Sequence, residues 1–198
     1  MLSIIIGTRN QMPINAEQSF IATSQRLDLD HLPPSRRFSV APAADEDLPH
    51  LATMTARHIP SLQGTYLALE RVQRYSHSIL AIRNRHELVG CFAALLLNHA
   101  GFEHLLDGCL SIADPSQSHL VRPGETAAAI YVWALCIPRM AVGATGNVMQ
   151  WLRQTTYARA DLYARPGTPK GRTFMSQAGF RLLSGSEAKS LWVYRRPT

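Results

Sequence analysis

The sequence predicts an α+β domain, and three observations lead to that fold class. An apolar run from Ala127 to Cys136 contains β-branched and aromatic residues, which is typical of a strand buried on both faces. A turn of small residues follows this run, and an amphipathic stretch begins at Asn147. Along the chain the patterns follow the order strand, two helices, three strands, helix, strand, helix, strand and strand. We therefore expect six to seven strands and about four helices.

The first half of the domain is predicted to contain a strand, two helices and a hairpin. The segment RFSVAP alternates in polarity, which predicts a strand. Apolar residues at helical spacing predict one helix that ends before Pro60 and another over Tyr66 to Tyr75. The apolar runs ILAIRN and ELVGCFAALLLN predict a β-hairpin, and Gly90 in the second run indicates a bulge or a close backbone approach.

The second half begins with an insertion at about 99–125, which is rich in turn residues after a short helix that ends at Gly108. Beyond the small-residue turn, ADLYARP predicts a fifth strand. Thr168 is suited to cap a helix that starts with Pro169 and ends at Gly179. The segments FRLLSG and SLWVYRR then predict two closing strands in an antiparallel hairpin.

Length and composition favour one soluble domain. The chain has 198 residues, of which 46% are hydrophobic and 17% charged, as in compact proteins. Residues 1–36 form an N-terminal arm of uncertain structure, and residues 37–198 form the main domain. The apolar runs are too short to cross a bilayer and the first residues do not resemble a signal peptide, which indicates a cytoplasmic protein that does not bind membranes.

The charge pattern favours a small anionic ligand over nucleic acid. The net charge of +6 comes mostly from arginine, which pairs with carboxylates and phosphates. These residues are scattered and form no Lys/Arg-rich block, so nucleic-acid binding is the weaker alternative. The three cysteines, Cys91, Cys109 and Cys136, have no metal-ligand spacing, and we expect no metal.

The turn after the long apolar run is a candidate phosphate cradle. Small residues from Gly143 to Gly146 allow a ligand to approach the backbone, and the free N–H groups of the next helical turn would point at it. A tight strand-to-helix connection without a ligand explains the same pattern equally well.

Three segments resemble the GNAT superfamily of acyl-CoA-dependent N-acyltransferases. SVAPAADEDLPHLATMTARH is similar to the family's first strand and helix, and ALCIPRMAVGATG follows its pattern of strand, proline and Q/R-x-x-G-x-G/A. LYARPGTPKGRTFMSQAGFRLL is similar to its fifth strand, following helix and closing "GF". The resemblance implies a mixed, mostly antiparallel sheet that is splayed between its fourth and fifth strands.

The resemblance also implies a cofactor site in that splay. Acetyl-CoA or another acyl-CoA would be the co-substrate, and the pantetheine arm would pair with the backbone of Leu135, Cys136 and Ile137. The diphosphate would bind the N–H groups of Val142, Gly143, Ala144, Thr145, Gly146 and Asn147. The second substrate would be an amine, either a small molecule or a protein. The sequence does not fix the oligomeric state, and a homodimer is one alternative.

Several positions depart from the family's pattern. Ala141 stands at the Q/R position, Ala144 replaces the first glycine, and Gly146 matches. Met175 stands where a tyrosine commonly protonates the leaving thiolate, and Ile130 stands where a glutamate is often found. Catalysis would then need other groups.

Glu125 and Tyr131 are the candidate catalytic residues. Glu125 precedes the fourth strand and could act on the amine through water as a general base. Tyr131, like Tyr163 on the fifth strand, would flank the splay and could hydrogen-bond to substrate or thiolate. A solvated carboxylate and two packed tyrosines are the alternatives.

The leading hypothesis is an enzyme that transfers an acyl group from acyl-CoA to a primary amine by direct attack. The alternative is a GNAT-like module with impaired catalysis and a regulatory or interaction role, which the loss of Glu and Tyr motivates. Synthesis of an acylated signal from an acyl carrier is a weaker third hypothesis.

Overall fold

Seven strands form one sheet in the described part of the chain, which comprises residues 28–58, 66–138, 141–153, 156–184 and 191–197 of a computed structural model. The strands are β1 (Phe38–Pro42), β2 (Ile79–Asn84), β3 (Glu87–Leu97), β4 (Ala129–Cys136), β5 (Leu162–Ala164), β6 (Arg181–Ser184) and β7 (Leu191–Tyr194). The helices of these ranges are α1 (Leu48–His58), α2 (Tyr66–Ser76), α3 (His99–Leu106), α4 (Ala144–Arg153) and α5 (Pro169–Gln177). Residues 1–27 of the predicted arm lie outside the described ranges.

The sheet is mixed, with the strand order β1-β2-β3-β4-β5-β7-β6. β4 and β5 pair in parallel through a crossover that contains α4, and the other described neighbours pair antiparallel. The predicted α+β fold class is confirmed, as are the hairpins β2-β3 and β6-β7. The insertion helix α3 brings the described α-helices to one more than the four expected.

β4 lies at the centre and is buried along its whole length, as its apolar run predicts. Because side chains alternate along a strand, its residues contribute to two cores. Ile130 and Val132 pack on the side of α4 and α5, which we call the α4–α5 face. Tyr131 and Trp133 pack on the side of α1, α2 and α3, which we call the α1–α3 face.

A bulge interrupts the pairing of β3 with β4. Ala93 pairs with Ala134 and Ala94 pairs with Val132, so Trp133 is an extra residue in β4. A bulge bends its strand and increases the local twist. β4 therefore bends in the segment that runs on past its pairing with β5.

Gly90 makes the close backbone approach that its position in an apolar run predicts. A Cβ atom on this residue would lie 2.4 Å from the carbonyl oxygen of Cys136. The register between β2 and β3 also shifts beside it, because Ile82 pairs with Gly90 while Arg83 pairs with Leu88. The glycine thus allows the end of β4 to pack closely on β3.

The ends of α5 follow the predicted capping pattern. The Thr168 hydroxyl accepts a hydrogen bond from the Gly171 amide over 3.0 Å, and Pro169 opens the helix. Gly179 follows the helix with a φ of +86°, a conformation that favours glycine. This helix places Met175 toward the α4–α5 face of the sheet.

Asn98 fixes the insertion helix α3 on the α1–α3 face. Its Oδ1 accepts a hydrogen bond from the Gly101 amide over 2.9 Å at the start of the helix. Its Nδ2 donates to the Ser118 carbonyl oxygen over 2.8 Å. A Cβ on Gly101 would lie 2.3 Å from the carbonyl oxygen of His119, so this helix packs tightly against residues 117–119.

Replacement of Asn98 by alanine should therefore lower the free energy of unfolding by about 1–2 kcal/mol, because an N-cap and a second hydrogen bond are lost together. Urea unfolding measures the change. Asn84→Ala, at the end of β2 and half-buried, is the matched control, for which we expect a smaller effect. Equal losses in the two variants would contradict the capping role.

Residues 28–37, which we call the N-terminal strap, pack against α4. The Asn147 Oδ1 accepts from the Ser35 amide over 2.8 Å, and its Nδ2 donates to the carbonyl oxygens of Ser35 and Phe38 over 3.1 and 3.0 Å. Arg153 donates to the Asp30 carbonyl oxygen. The strap therefore runs beside α4 from its C-terminal end to its first turn and then enters β1.

None of the helices in the described ranges combines the length and the apolar character that a membrane span requires.

Candidate active site

The sheet is splayed where the resemblance implies it. β4 and β5 pair at Ile130 with Leu162 and at Tyr131 with Tyr163. Beyond Tyr131, β4 continues to Cys136 without a partner on β5 among the described residues, while β5 remains paired with β7 through Ala164. The two parallel strands therefore separate toward their C-terminal ends.

An apolar cavity of about 40 Å³ lies in the splay on the α4–α5 face. Val132 and Leu135 of β4 line one side, and Leu162 and Ala164 of β5 line the other. Leu29 of the N-terminal strap contributes to the wall. Residues of α4 and α5 also line the cavity, so it lies between the splay and the two helices.

Thr145 supplies the polar side chain among the described residues that line this cavity. It lies in the first turn of α4, and its hydroxyl is buried without a hydrogen-bond partner in the described chain. A buried hydroxyl without a partner costs about 1–3 kcal/mol, so a ligand group that binds it would be stabilised. The Thr145 hydroxyl, at the junction of the cavity and the first turn of α4, is therefore free within the described chain to donate or accept a hydrogen bond from a ligand.

The turn before α4 is partly accessible. Val142 is 40% exposed and Gly143 is exposed as well, whereas Ala144 is buried. Some of the local amides are used within the turn, since Ala141 donates to the Pro138 carbonyl oxygen over 2.7 Å and Thr145 donates to that of Val142 over 3.0 Å. The accessible part of the predicted diphosphate site is therefore Val142 and Gly143.

Gly146 and Asn147, the last two residues of the predicted diphosphate site, contact the N-terminal strap. A Cβ on Gly146 would lie 2.2 Å from the carbonyl oxygen of Pro33, and the Asn147 side chain binds Ser35. This flank of α4 is therefore covered by the chain itself. The sequence contains no periodic signal for the contact, and glycine at position 146 has a packing explanation beside the one that the resemblance implies.

Tyr131 is the last residue of β4 that pairs with β5, and its side chain lies on the α1–α3 face. Burial raises the pKa of its hydroxyl to about 12, although the neighbouring Arg165 guanidinium acts in the opposite direction. Tyr131 is therefore neutral at pH 7 and can donate or accept a hydrogen bond there.

Glu125 lies near the N-terminal end of β4, away from the splay. It precedes β4 by a few residues, whereas the splay opens beyond Tyr131, farther along the strand. Its Oε2 accepts a hydrogen bond from the Arg122 amide over 2.8 Å and closes an exposed turn. The structure does not bring Glu125 and Tyr131 together.

The predicted pantetheine segment, Leu135 to Ile137, lies just beyond and on the part of β4 that pairs with β3 but has no partner on β5 in the described chain. The Cys136 thiol is buried on the α1–α3 face, away from the cavity, where Cys136 is the cross-strand neighbour of Cys91. A hydrogen bond with Cys136 and burial raise the pKa of the Cys91 thiol. Neither thiol is therefore placed as a nucleophile at the cavity.

Arg165 and Trp133 lie at the splay as well, although the sequence patterns mark neither of them as a site residue. Arg165 directly follows β5, and its Nη2 donates to the Leu105 carbonyl oxygen over 3.1 Å. The position after the fifth strand is a signal that could have indicated Arg165.

Within the described chain, no three His, Cys, Asp or Glu side chains lie together as metal ligands would.

No protein-family model matches the sequence, and no curated protein is detectably similar to it. Among solved structures, the chain is similar to PH1933 from Pyrococcus horikoshii OT3 with a TM-score of 0.50 and 9% identity, covering 81% of this chain and 99% of that one. It is also similar to an N-acetyltransferase from Staphylococcus aureus Mu50, with a TM-score of 0.46, 13% identity and coverages of 78% and 97%. An acetyltransferase from Thermus thermophilus gives a TM-score of 0.46, 16% identity and coverages of 79% and 96%.

Identities this low bear on the fold alone. The mixed, mostly antiparallel sheet and its splay between the fourth and fifth strands are those that the GNAT resemblance implies. The fold of this chain is of the GNAT type.

Proposed function

We propose that the protein is an acyltransferase that uses acyl-CoA, acetyl-CoA included, and transfers the acyl group to a primary amine by direct attack. The observation that carries the proposal is the apolar cavity in the splay, which adjoins the first turn of α4. An apolar slot beside a helix N-terminus suits a ligand with an apolar arm and an anionic end.

The residues around the cavity have distinct proposed roles. Backbone groups of Leu135, Cys136 and Ile137 would bind the pantetheine amides, because this segment has no strand partner on the β5 side in the described chain. The amides of Val142 and Gly143 would bind the diphosphate, and the Thr145 hydroxyl would bind the arm beside it. Gly146 and Asn147 would support this turn through the N-terminal strap.

The acyl transfer depends more on the placement of the amine beside the thioester than on a covalent intermediate with the protein. The amine nitrogen attacks the thioester carbonyl carbon, the new C–N bond forms and the C–S bond breaks, and a proton passes from nitrogen to the departing thiolate. Holding amine and thioester together lowers the entropic part of the barrier. Tyr131 would hydrogen-bond to the reacting groups in its neutral form, whereas Glu125 lies too far along the sheet for a direct role.

Replacement of Val142 by aspartate tests the proposed diphosphate site. We expect CoA to bind about tenfold more weakly, because like charges a few ångströms apart at a protein surface repel by on the order of 1–4 kcal/mol. Stability should not fall, since a carboxylate near a helix N-terminus is favourable by about 0.3–1 kcal/mol. Isothermal titration with acetyl-CoA and CoA measures the affinity.

Gln150→Glu is the matched control. It introduces the same charge on an exposed position of α4, farther along the helix, and should leave CoA affinity unchanged. Absence of CoA binding by the unmodified protein at millimolar concentration would overturn the proposal, and so would equal weakening in both variants.

A GNAT-like module without turnover is the second candidate, and two observations favour it. Met175, which cannot donate a proton, lines the cavity, and the strap covers the Gly146 flank of α4. Binding of acetyl-CoA without acylation of any amine in a broad panel would support this alternative.

A further inference from the structure

Arg165 lies at the splay on the α1–α3 face, opposite the cavity. It follows the end of β5, its Nη2 binds the Leu105 carbonyl oxygen, and its guanidinium neighbours the Tyr131 hydroxyl. Leu105 and Tyr131 both belong to the core on this face. The guanidinium therefore lies beside the splay, on the face of the sheet opposite the cavity.

The Arg165 guanidinium has no carboxylate partner among the described residues. Arg83, Arg195 and Arg196, in contrast, each form an ion pair with an aspartate. Arg165 is half-buried, and a guanidinium has more N–H donors than its contacts with Leu105 and Tyr131 use. It retains charge and donors for an anion.

Trp133 provides a second unsatisfied donor on this face. Its indole Nε1 is buried and has no hydrogen-bond partner in the described chain. Tyr131 and Tyr163 are paired neighbours, and Trp133 and Arg165 each lie two positions farther along the chain. The two side chains therefore follow the last paired residues on either side of the opening.

We propose that Arg165 and Trp133 bind the carboxylate of the acceptor, so that the acceptor class is amino acids. Both side chains can only donate hydrogen bonds and cannot satisfy each other, so their ligand must accept. A planar carboxylate matches the guanidinium fork, and its α-amino group would lie beside the splay. This inference rests on the proposed function, and the carboxylate itself is unchanged by the acyl transfer.

The test compares each amino acid with its amide. Glycine, L-alanine and L-phenylalanine are assayed with acetyl-CoA against glycinamide, L-alaninamide and L-phenylalaninamide. The amides have the more readily deprotonated amine and would be the better acceptors if no site bound the carboxylate. We expect KM for the preferred amino acid to be at least about tenfold lower than for its amide.

The variants separate recognition from folding. Arg165→Gln should raise KM for the amino acid about tenfold or more, with little change for the amide or for acetyl-CoA, and Arg165→Lys should keep part of the preference. Trp133→Phe should raise the same KM by a smaller factor. Arg159→Gln, an exposed arginine between α4 and β5, is the control and should have no effect. Melting temperatures show whether each variant is folded.

Binding is also measured without turnover, by tryptophan fluorescence with and without CoA. Saturable binding of the amino acid that is weakened in Arg165→Gln but not in Arg159→Gln supports the inference even if no transfer is seen. Equal binding of amino acid and amide, or an unchanged Arg165→Gln, would overturn it. If CoA titrations succeed in that case, the proposed function survives, whereas failure of CoA to bind overturns the proposed function and with it the role of the amino acid as acceptor.

Discussion

Replacement of Asp30 by asparagine should lower the free energy of unfolding by about 3–5 kcal/mol, because a buried guanidinium is left without its counter-charge. The Asp30 and Arg196 side chains are 6% and 3% exposed, and Oδ1 of Asp30 accepts from Nη2 and Nε of Arg196 over 3.0 and 3.3 Å. The Arg196 Nη1 already has no partner in the described chain. The Tyr194 hydroxyl also loses the closer of its two carboxylate acceptors, since Oδ2 of Asp30 lies at 3.0 Å and Oδ1 of Asp28 at 3.2 Å.

Asp28→Asn is the matched control for this prediction. Asp28 pairs with His31, but the two side chains are 56% and 78% exposed, and exposed pairs contribute about 0–1 kcal/mol. Denaturant unfolding of both variants at pH 7 gives the comparison. A loss at Asp30 no larger than that at Asp28 would show that the ion pair does not hold the strap.

Replacement of Gly146 by alanine should lower the free energy of unfolding by about 1–3 kcal/mol, although alanine is ordinarily the better helix residue by about 1 kcal/mol. The reason is steric, since the new Cβ would lie 2.2 Å from the Pro33 carbonyl oxygen and 2.8 Å from its carbon. Backbone cannot move aside as a flexible side chain can, so the strap or α4 must shift. Thermal unfolding measures the change.

Gly143→Ala provides the comparison within the same turn. Its Cβ would meet the nearest atom, Cβ of Ser35, at 3.6 Å, which is ordinary contact. We expect no loss of stability from this substitution. A Gly146→Ala protein as stable as Gly143→Ala would mean that glycine at position 146 serves a ligand and not the packing of the strap.

Much of the fold could be predicted from periodicity and turn residues. The apolar run of β4, the hairpin around Gly90 and the capped helix α5 each carry their signal within a short segment, and local signals survive in a single sequence. The mixed sheet and its splay between the fourth and fifth strands were implied only by the resemblance, and the parallel pairing of β4 with β5 is seen only in the structure. The contact of Ser35 with Asn147 joins residues 112 positions apart, and no local pattern indicates it.

The candidate site was predictable to a smaller degree. The sequence predicts the segments around the splay, because a buried strand, a small-residue turn and a helix start follow one another. It does not predict that Leu29 lines the cavity, because that depends on how a non-periodic segment crosses α4. The bulge at Trp133 and the position of Arg165 arise from the pairing of distant strands, which one sequence does not reveal.

The N-terminal strap has a consequence for the order in which the chain folds. Its hydrogen bonds to Asn147 and Tyr194 span 112 and 164 residues, so they can form only after α4 and β7 are in place. The strap should therefore dock late and detach early, as a separate cooperative unit. Amide hydrogen exchange would show it as faster exchange of the amides of Asp30, His31, Leu32 and Ser35 than of those of β4. Each detachment would expose the flank of α4 at Gly146 while the sheet stays intact.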